Sequence, residues 1–119
     1  MLRPANLPNS DAYKAALLLI KDDLSEKELR MLALLYHANE RTMSSSDMAS
    51  ALGDSGQANI AFGKLGHKLS DALNFKPGKR PNGKYQWWNI MALGPKNIIN
   101  FKWTMHPELA EALKELDLI

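Results

Sequence analysis

The chain has 119 residues, 45% of them hydrophobic, with no cysteine and a formal net charge of +2. This length favours one domain with one core, and the lack of cysteine excludes a disulfide framework, a thiolate zinc site and a cysteine nucleophile. The longest apolar run, AALLLI at 15–20, is too short to cross a bilayer and has no basic region before it, so we expect a cytoplasmic protein.

The first part of the chain predicts an irregular arm followed by helices. Residues 1–10 contain two prolines and no apolar periodicity, which indicates an N-terminal arm ahead of a single domain over residues 11–119. A first helix is expected at about 11–21. Ser25 and Glu28 then have capping-box spacing before a helical apolar pattern. This second helix should end near Asn39, where we expect a left-handed residue.

The middle of the chain has the order of a helix-turn-helix unit. Helix-start residues at 42–47 precede a short apolar face that ends at Gly53, which predicts a helix of about two turns. After the turn GDSG, residues 57–74 read QANIAFGKLGHKLSDALN and carry one apolar stripe. A short helix, a turn and a longer helix in this order are typical of helix-turn-helix proteins.

The last third predicts a small hairpin and a closing helix. Residues 75–84, FKPGKRPNGK, contain two prolines and two glycines and should lack regular structure. Residues 85–93 and 98–105 are β-favouring, and the second run alternates apolar and polar positions, which predicts an antiparallel hairpin. From His106 a final helix is expected, with Pro107 in its first turn. The predicted fold is mainly α with a small antiparallel β-hairpin, a winged helix-turn-helix.

Positive charge is concentrated in the second half. Residues 60–105 contain eight lysines and arginines and one aspartate, within a chain whose other residues are net acidic. Such a segment favours a surface that binds a large anion, of which nucleic acid is the commonest. A solvated lysine-rich surface is the alternative explanation.

Two glycines in the 57–74 helix require a reason, because each costs about 1 kcal/mol relative to alanine. Gly63 and Gly66 would allow close approach to a DNA backbone or groove, or to another helix of the protein itself. For a DNA-binding helix, the expected contact residues are Gln57, Asn59, Gly63, Lys64, His67 and Lys68.

The loop and the tryptophans supply the other candidate contacts. Lys76, Lys79, Arg80 and Lys84 are expected to bind phosphates. Trp87 and Trp88 would point to opposite faces of a strand, so one of them should be exposed, and Trp88 is included among the candidate DNA contacts. The alternative is that both tryptophans belong to the core.

Nothing in the sequence indicates catalysis. His37, His67 and His106 are far apart, and no metal-binding, phosphate-loop or nucleophile motif is present. We therefore expect no metal, no cofactor and no enzymatic activity.

Several segments resemble a known family. They are LALLYHANERTMSSSDMASALG, ANIAFGKLGHKLSDAL, the basic loop with its prolines, and FKWTMHPELAEALKEL. Together they resemble a small domain that accompanies HNH-type endonucleases in bacterial modification-dependent restriction and defence proteins, with the pattern AN-x-x-YG-x-LG-x-x-L-x-x-L. Phe62 stands where that pattern has tyrosine, and His67 where arginine is common. The resemblance implies a DNA-associated accessory domain.

The sequence thus predicts a non-catalytic DNA-binding, target-recognition domain that reads duplex or modified DNA in restriction, defence or transcriptional control, with a nuclease or other protein as a further partner. The alternative is a protein-interaction module, such as a phage or bacterial inhibitor or adaptor, in which the Gly63/Gly66 face receives a partner helix. No membrane association is expected.

Overall fold

The computed structural model describes residues 3–53, 58–94 and 102–119. Within these ranges the α-helices are α1 (Ser10–Ile20), α2 (Glu26–His37), α3 (Ser45–Leu52), α4 (Ala58–Leu73) and α5 (Pro107–Glu115). The strands are β1 (Thr42–Ser44), β2 (Ala92–Leu93) and β3 (Lys102–Met105), and short 3-10 helices cover Lys21–Asp23, Asn39–Arg41 and Trp87–Ile90. The protein is therefore mainly helical with a small antiparallel sheet, as expected.

Local sequence signals place the helix ends. Ser25 and Glu28 form the predicted capping box at the start of α2, with each side chain bonded to the other residue's backbone N–H. Ser44 caps α3, and Gly53 ends it with a left-handed φ of 74°. The expectation for Asn39 is wrong, because Glu40 and Arg41 adopt the left-handed conformation after α2 instead.

The sheet has the strand order β1-β3-β2. β3 pairs antiparallel with β2, which confirms a hairpin-type pairing in the predicted region, and also with β1, a strand between α2 and α3 that the sequence did not predict. Thr42 faces Thr104 across the β1–β3 pair, and their hydroxyl oxygens lie 2.8 Å apart. Each strand is only a few residues long, so the sheet depends on the helices that cover it.

Residues 85–90 do not form the predicted strand. Trp87–Ile90 is a 3-10 helix in which Trp88, Asn89 and Ile90 are all buried. A strand would turn alternate side chains away from the core, whereas this helix buries consecutive ones. The Asn89 side-chain N–H donates to the carbonyl of Ala92 at 2.9 Å, which satisfies a buried polar group just before β2.

The core lies between the helices and one face of the sheet. Phe62 of α4 packs against Trp103 of β3, with ring centroids 4.2 Å apart. Tyr13 of α1 is fully buried and donates its hydroxyl hydrogen to the carbonyl of Ile90 at 2.6 Å. The first contact fixes α4 against the sheet. The second joins α1 to the 3-10 helix Trp87–Ile90.

The N-terminal segment contacts the last helix. Residues 3–9 contain no helix or strand, but Arg3 forms an ion pair with Glu108 in the first turn of α5. The arm predicted over residues 1–10 stays a prediction, and α1 already begins at Ser10. Across residues 3–53, 58–94 and 102–119, no helix is both long and apolar enough to span a membrane.

His106 is buried at the start of α5 rather than lying at the surface. Its Nε2 is 2.7 Å from the carbonyl oxygen of Asn89, and its Nδ1 is 3.5 Å from an Arg3 guanidinium nitrogen. These partners fit a neutral ring that donates from Nε2 and accepts at Nδ1. Burial lowers the pKa of His106, although the hydrogen bond to Asn89 acts in the opposite direction.

The lowered pKa of His106 predicts a loss of stability in mild acid. The unfolded chain binds a proton on this histidine near pH 6.5, roughly its ordinary pKa, whereas the folded protein binds it only at lower pH. The contribution of His106 to the free energy of unfolding should therefore be full above about pH 6.5. It should decrease as the pH falls toward the lowered pKa. His106→Gln, which keeps a donor for the Asn89 carbonyl, should lose much of this dependence in urea titrations. An unchanged dependence in the variant would contradict this prediction.

Candidate nucleic-acid interface

One side of α4 is open to solvent. Ile60, Lys64 and His67 are exposed along it, and no atom of the described residues lies within 4 Å of the position that a side chain at Gly63 would occupy. These residues follow the spacing of neighbours on one helical face. At Gly63, therefore, the helix backbone can be approached closely from outside, which is one of the two possibilities that the sequence left open.

Gly66 has a different role. A Cβ atom there would overlap the carbonyl oxygen of Trp87 and lie 2.6 Å from its carbonyl carbon and 3.1 Å from the amide nitrogen of Trp88. The 3-10 helix Trp87–Ile90 thus occupies the space beside Gly66. Packing within the protein therefore explains why position 66 is a glycine. The hypothesis that both glycines present backbone to a ligand is wrong for Gly66.

An aromatic stack joins α4 to the loop that follows it. The rings of His67 and Trp87 are stacked with centroids 3.9 Å apart and an angle of 8° between their planes. Tyr85 lies against Trp87 with a centroid distance of 4.9 Å. Such contacts contribute about 0.5–1.5 kcal/mol each beyond burial. They hold the basic loop next to the open side of α4.

The basic loop is more ordered than its composition indicated. Lys79 and Tyr85 form an antiparallel bridge, and the amide of Arg80 donates to the carbonyl of Lys84 at 2.8 Å. Gly83 closes the turn by donating to the carbonyl of Arg80, and its φ of 83° favours glycine. Residues 78–86 therefore form a short hairpin, which we call the basic hairpin.

The cations of this region gather around the stack. Lys76 and Lys79 place their ammonium nitrogens 5.2 and 5.0 Å from the centroid of the Tyr85 ring. Arg80 and Lys84 are exposed at the turn of the basic hairpin. We call the surface formed by these four residues with Lys64 and His67 the basic face.

The positive charges of the basic face are not neutralised within the described part of the chain. No carboxylate in the described part of the chain forms an ion pair with Lys64, Lys76, Lys79, Arg80 or Lys84. The sole described acidic contact is between Asp71 and His67, with Oδ2 and Nε2 3.6 Å apart. The geometry therefore provides a cationic surface whose charge is open to an external anion.

Lys68 does not belong to the basic face. Its ammonium group is 2.7 Å from a carboxylate oxygen of Glu28 and 3.2 Å from the carbonyl oxygen of Asp23. Burial alone would raise the pKa of Glu28, but hydrogen bonds from Lys68 and the Ser25 backbone outweigh it and lower that pKa. The prediction of Lys68 as a DNA contact is corrected, because its charge is used to hold α2 and α4 together.

Two other candidate contacts are corrected or restricted. Trp88 is 3% exposed, and a side chain at Gly94 would overlap its ring, so Trp88 is a core residue and cannot stack on a base. Trp87 is the partly exposed tryptophan, but it lies between His67 and Tyr85. The side-chain oxygen of Asn59 accepts a hydrogen bond from the amide of Ile60 at 3.0 Å, which uses one of its two lone pairs. Gln57 lies outside the described residues.

Sequence reasoning missed Ile60 and the linking role of Tyr85 and Trp87. Ile60 falls outside the apolar stripe of its helix, and that was a readable signal. Nothing in the sequence indicated that residues at 85 and 87 would contact position 67, because this depends on the unexpected 3-10 helix.

The described residues contain no candidate metal site. Among residues 3–53, 58–94 and 102–119, no three histidine or acidic side chains lie close enough together to hold a metal ion. Among the described residues, His67 stacks on Trp87 and lies beside Asp71, and His106 is enclosed in the core.

The stack predicts a specific result at His67. His67→Ala should reduce the free energy of unfolding by about 1 kcal/mol, because it removes the stacking contact with Trp87. It should also change the fluorescence of Trp87. His67→Phe keeps a flat ring and should retain most of the stability. Equal urea midpoints for His67→Ala and the wild type would contradict a stabilising stack.

Comparisons with protein-family models, curated proteins and solved structures found no match to this chain.

Proposed function

We propose that this protein is a non-catalytic winged-helix protein that binds duplex DNA through the basic face. The observation that carries the proposal is the junction of the open side of α4 with the basic hairpin through the His67–Trp87–Tyr85 stack. A helix and a neighbouring loop can then contact the same polyanion. Cations without carboxylate partners among the described residues are suited to phosphate contacts.

The order of the elements supports a winged helix. From α2 the chain proceeds through β1, α3 and α4 to β2 and β3, and β3 lies in the centre of the sheet. In a helix-turn-helix protein the second helix enters the major groove, and α4 would be that helix in this protein. The basic hairpin precedes β2 and adds a second group of cations beside α4.

The alternative of a protein-interaction module has less support. It required the Gly63/Gly66 face to accept a helix from a partner. The backbone of Trp87 already fills the space at Gly66, which leaves Gly63 as the open glycine of the pair. Lys64, which follows Gly63 and has no carboxylate partner among the described residues, also favours a polyanion over the apolar face of a helix.

The biological role that fits this proposal is target recognition in bacterial restriction, defence or transcriptional control, in the cytoplasm. A nuclease acting with this protein would supply the chemistry, because the basic face offers phosphate contacts and no catalytic group. Modified bases are a second class of target, which the binding experiment includes.

The proposal is tested by fluorescence anisotropy with labelled DNA of about two helical turns, added as unmodified duplex, methylated duplex or single strand. Duplex should bind at low salt, and about four phosphate contacts imply a loss of about a hundredfold in affinity over a fourfold rise in salt. Failure to bind any duplex at low salt would show the proposal to be wrong. Preference for the single strand would exclude a major-groove site.

A further inference from the structure

Ile60 is an apolar side chain on a polar surface. It is 52% exposed on the first turns of α4, whereas Ala58 and Phe62 on either side of it are buried. The other large hydrophobic residues exposed to this degree in the described chain are Leu18 and Leu19 on α1. Packing among the described residues therefore gives no reason for an isoleucine at position 60.

Ile60 stands in line with the DNA-facing residues of α4. Gly63, Lys64 and His67 follow it by three, four and seven positions, which places them on one side of the helix. Ile60 is the first described member of this row. In helix-turn-helix proteins the N-terminal residues of the second helix contact base edges.

The neighbouring polar residue is less able to read a base. Asn59 uses its side-chain oxygen to accept from the amide of Ile60 at 3.0 Å. A bidentate contact with adenine needs that oxygen as well as the side-chain NH₂ group. That oxygen keeps a second lone pair, but its hydrogen bond to the Ile60 amide restricts the orientation of the Asn59 side chain, whereas the Ile60 side chain has no polar partner to satisfy.

We propose that Ile60 is a specificity-determining residue that packs against the 5-methyl group of a thymine in the major groove. This inference rests on the proposed function, because it requires α4 to lie in that groove. Among the standard bases, thymine alone presents a methyl group there, and apolar side chains are its usual partners. The open backbone at Gly63, one turn further along α4, allows the helix to approach the base edges closely.

The experiment begins with selection of preferred sequences by the wild-type protein from a randomised, unmethylated duplex pool, in which thymine is the sole source of a 5-methyl group. Each thymine of the selected site is then replaced singly by deoxyuridine, which removes one methyl group and nothing else. At one position the wild type should lose affinity about fourfold, the effect of one buried methyl group. Ile60→Ala should bind the thymine and deoxyuridine duplexes equally.

Leu19→Ala is the matched control, because Leu19 is a 72% exposed aliphatic residue on α1. This variant should discriminate as the wild type does, and both alanine variants should keep the wild-type melting temperature. Three results would overturn the inference while leaving duplex binding intact. The selected site could contain no fixed thymine, the wild type could bind every deoxyuridine duplex as tightly as the thymine duplex, or Ile60→Ala could still discriminate between the two. A protein that retains no duplex from the pool would overturn the proposed function, and the inference with it.

Discussion

Replacing Arg80 and Lys84 together by glutamine is expected to lower affinity for duplex DNA by at least about tenfold at low salt. Both side chains are exposed at the turn of the basic hairpin, and neither has a carboxylate partner among the described residues. Loss of a phosphate contact reduces the number of counterions that are released when the protein binds DNA. The slope of log K against log salt should therefore become shallower by about two.

The control for this variant removes the same charge elsewhere. Lys21 and Lys114 are exposed on the 3-10 helix after α1 and on α5. Replacing both by glutamine should leave the salt slope within about one of the wild type. If the two double variants weaken binding equally, attraction depends on net charge alone, and the basic hairpin has no special role.

The second large effect is expected at Gly66. Gly66→Ala should reduce the free energy of unfolding by about 3 kcal/mol, because the new methyl group would overlap backbone atoms of Trp87 that the 3-10 helix holds in place. The gain in helix propensity, about 1 kcal/mol, is too small to offset this overlap. Urea unfolding followed by circular dichroism measures the difference.

Gly63→Ala is the natural comparison, since it makes the same change one turn earlier, where nothing lies within 4 Å of the added atom. It should stabilise the protein by about 0.5–1 kcal/mol. If DNA approaches the backbone at this point, the stabilised variant should nevertheless bind duplex more weakly. Equal tolerance of alanine at positions 63 and 66 would contradict the packing described for Gly66.

Much of the helical architecture could be predicted because its signals are local. The capping box of Ser25 and Glu28, the end of α3 at Gly53 and the apolar stripe of α4 all depend on residues within a few positions of one another. The strand expected at 85–93 was wrong for residues 85–90, because YQWWNIMAL carries apolar residues on both alternating sets of positions. Periodicity cannot distinguish a strand buried on both faces from the 3-10 helix that packs against Gly66.

In the candidate site, too, features with local sequence signals could be predicted, and features that depend on contacts between distant residues could not. The cations of residues 76–84 were visible in the sequence because they cluster in one short loop. The ion pair of Lys68 with Glu28 joins residues 40 positions apart, so no local pattern could remove Lys68 from the predicted contacts. Burial of Trp88 and pairing of His67 with Trp87 likewise depend on where the 3-10 helix docks.

NMR titration of the ¹⁵N-labelled chain with DNA measures, residue by residue, where a duplex contacts the protein. The predicted result is that amide shifts concentrate at Ile60–His67 of α4 and at residues 78–86, and that they reverse as salt is added. Shifts centred on Leu18 and Leu19 of α1, with α4 and the basic hairpin unchanged, would contradict the basic face as the DNA-binding surface.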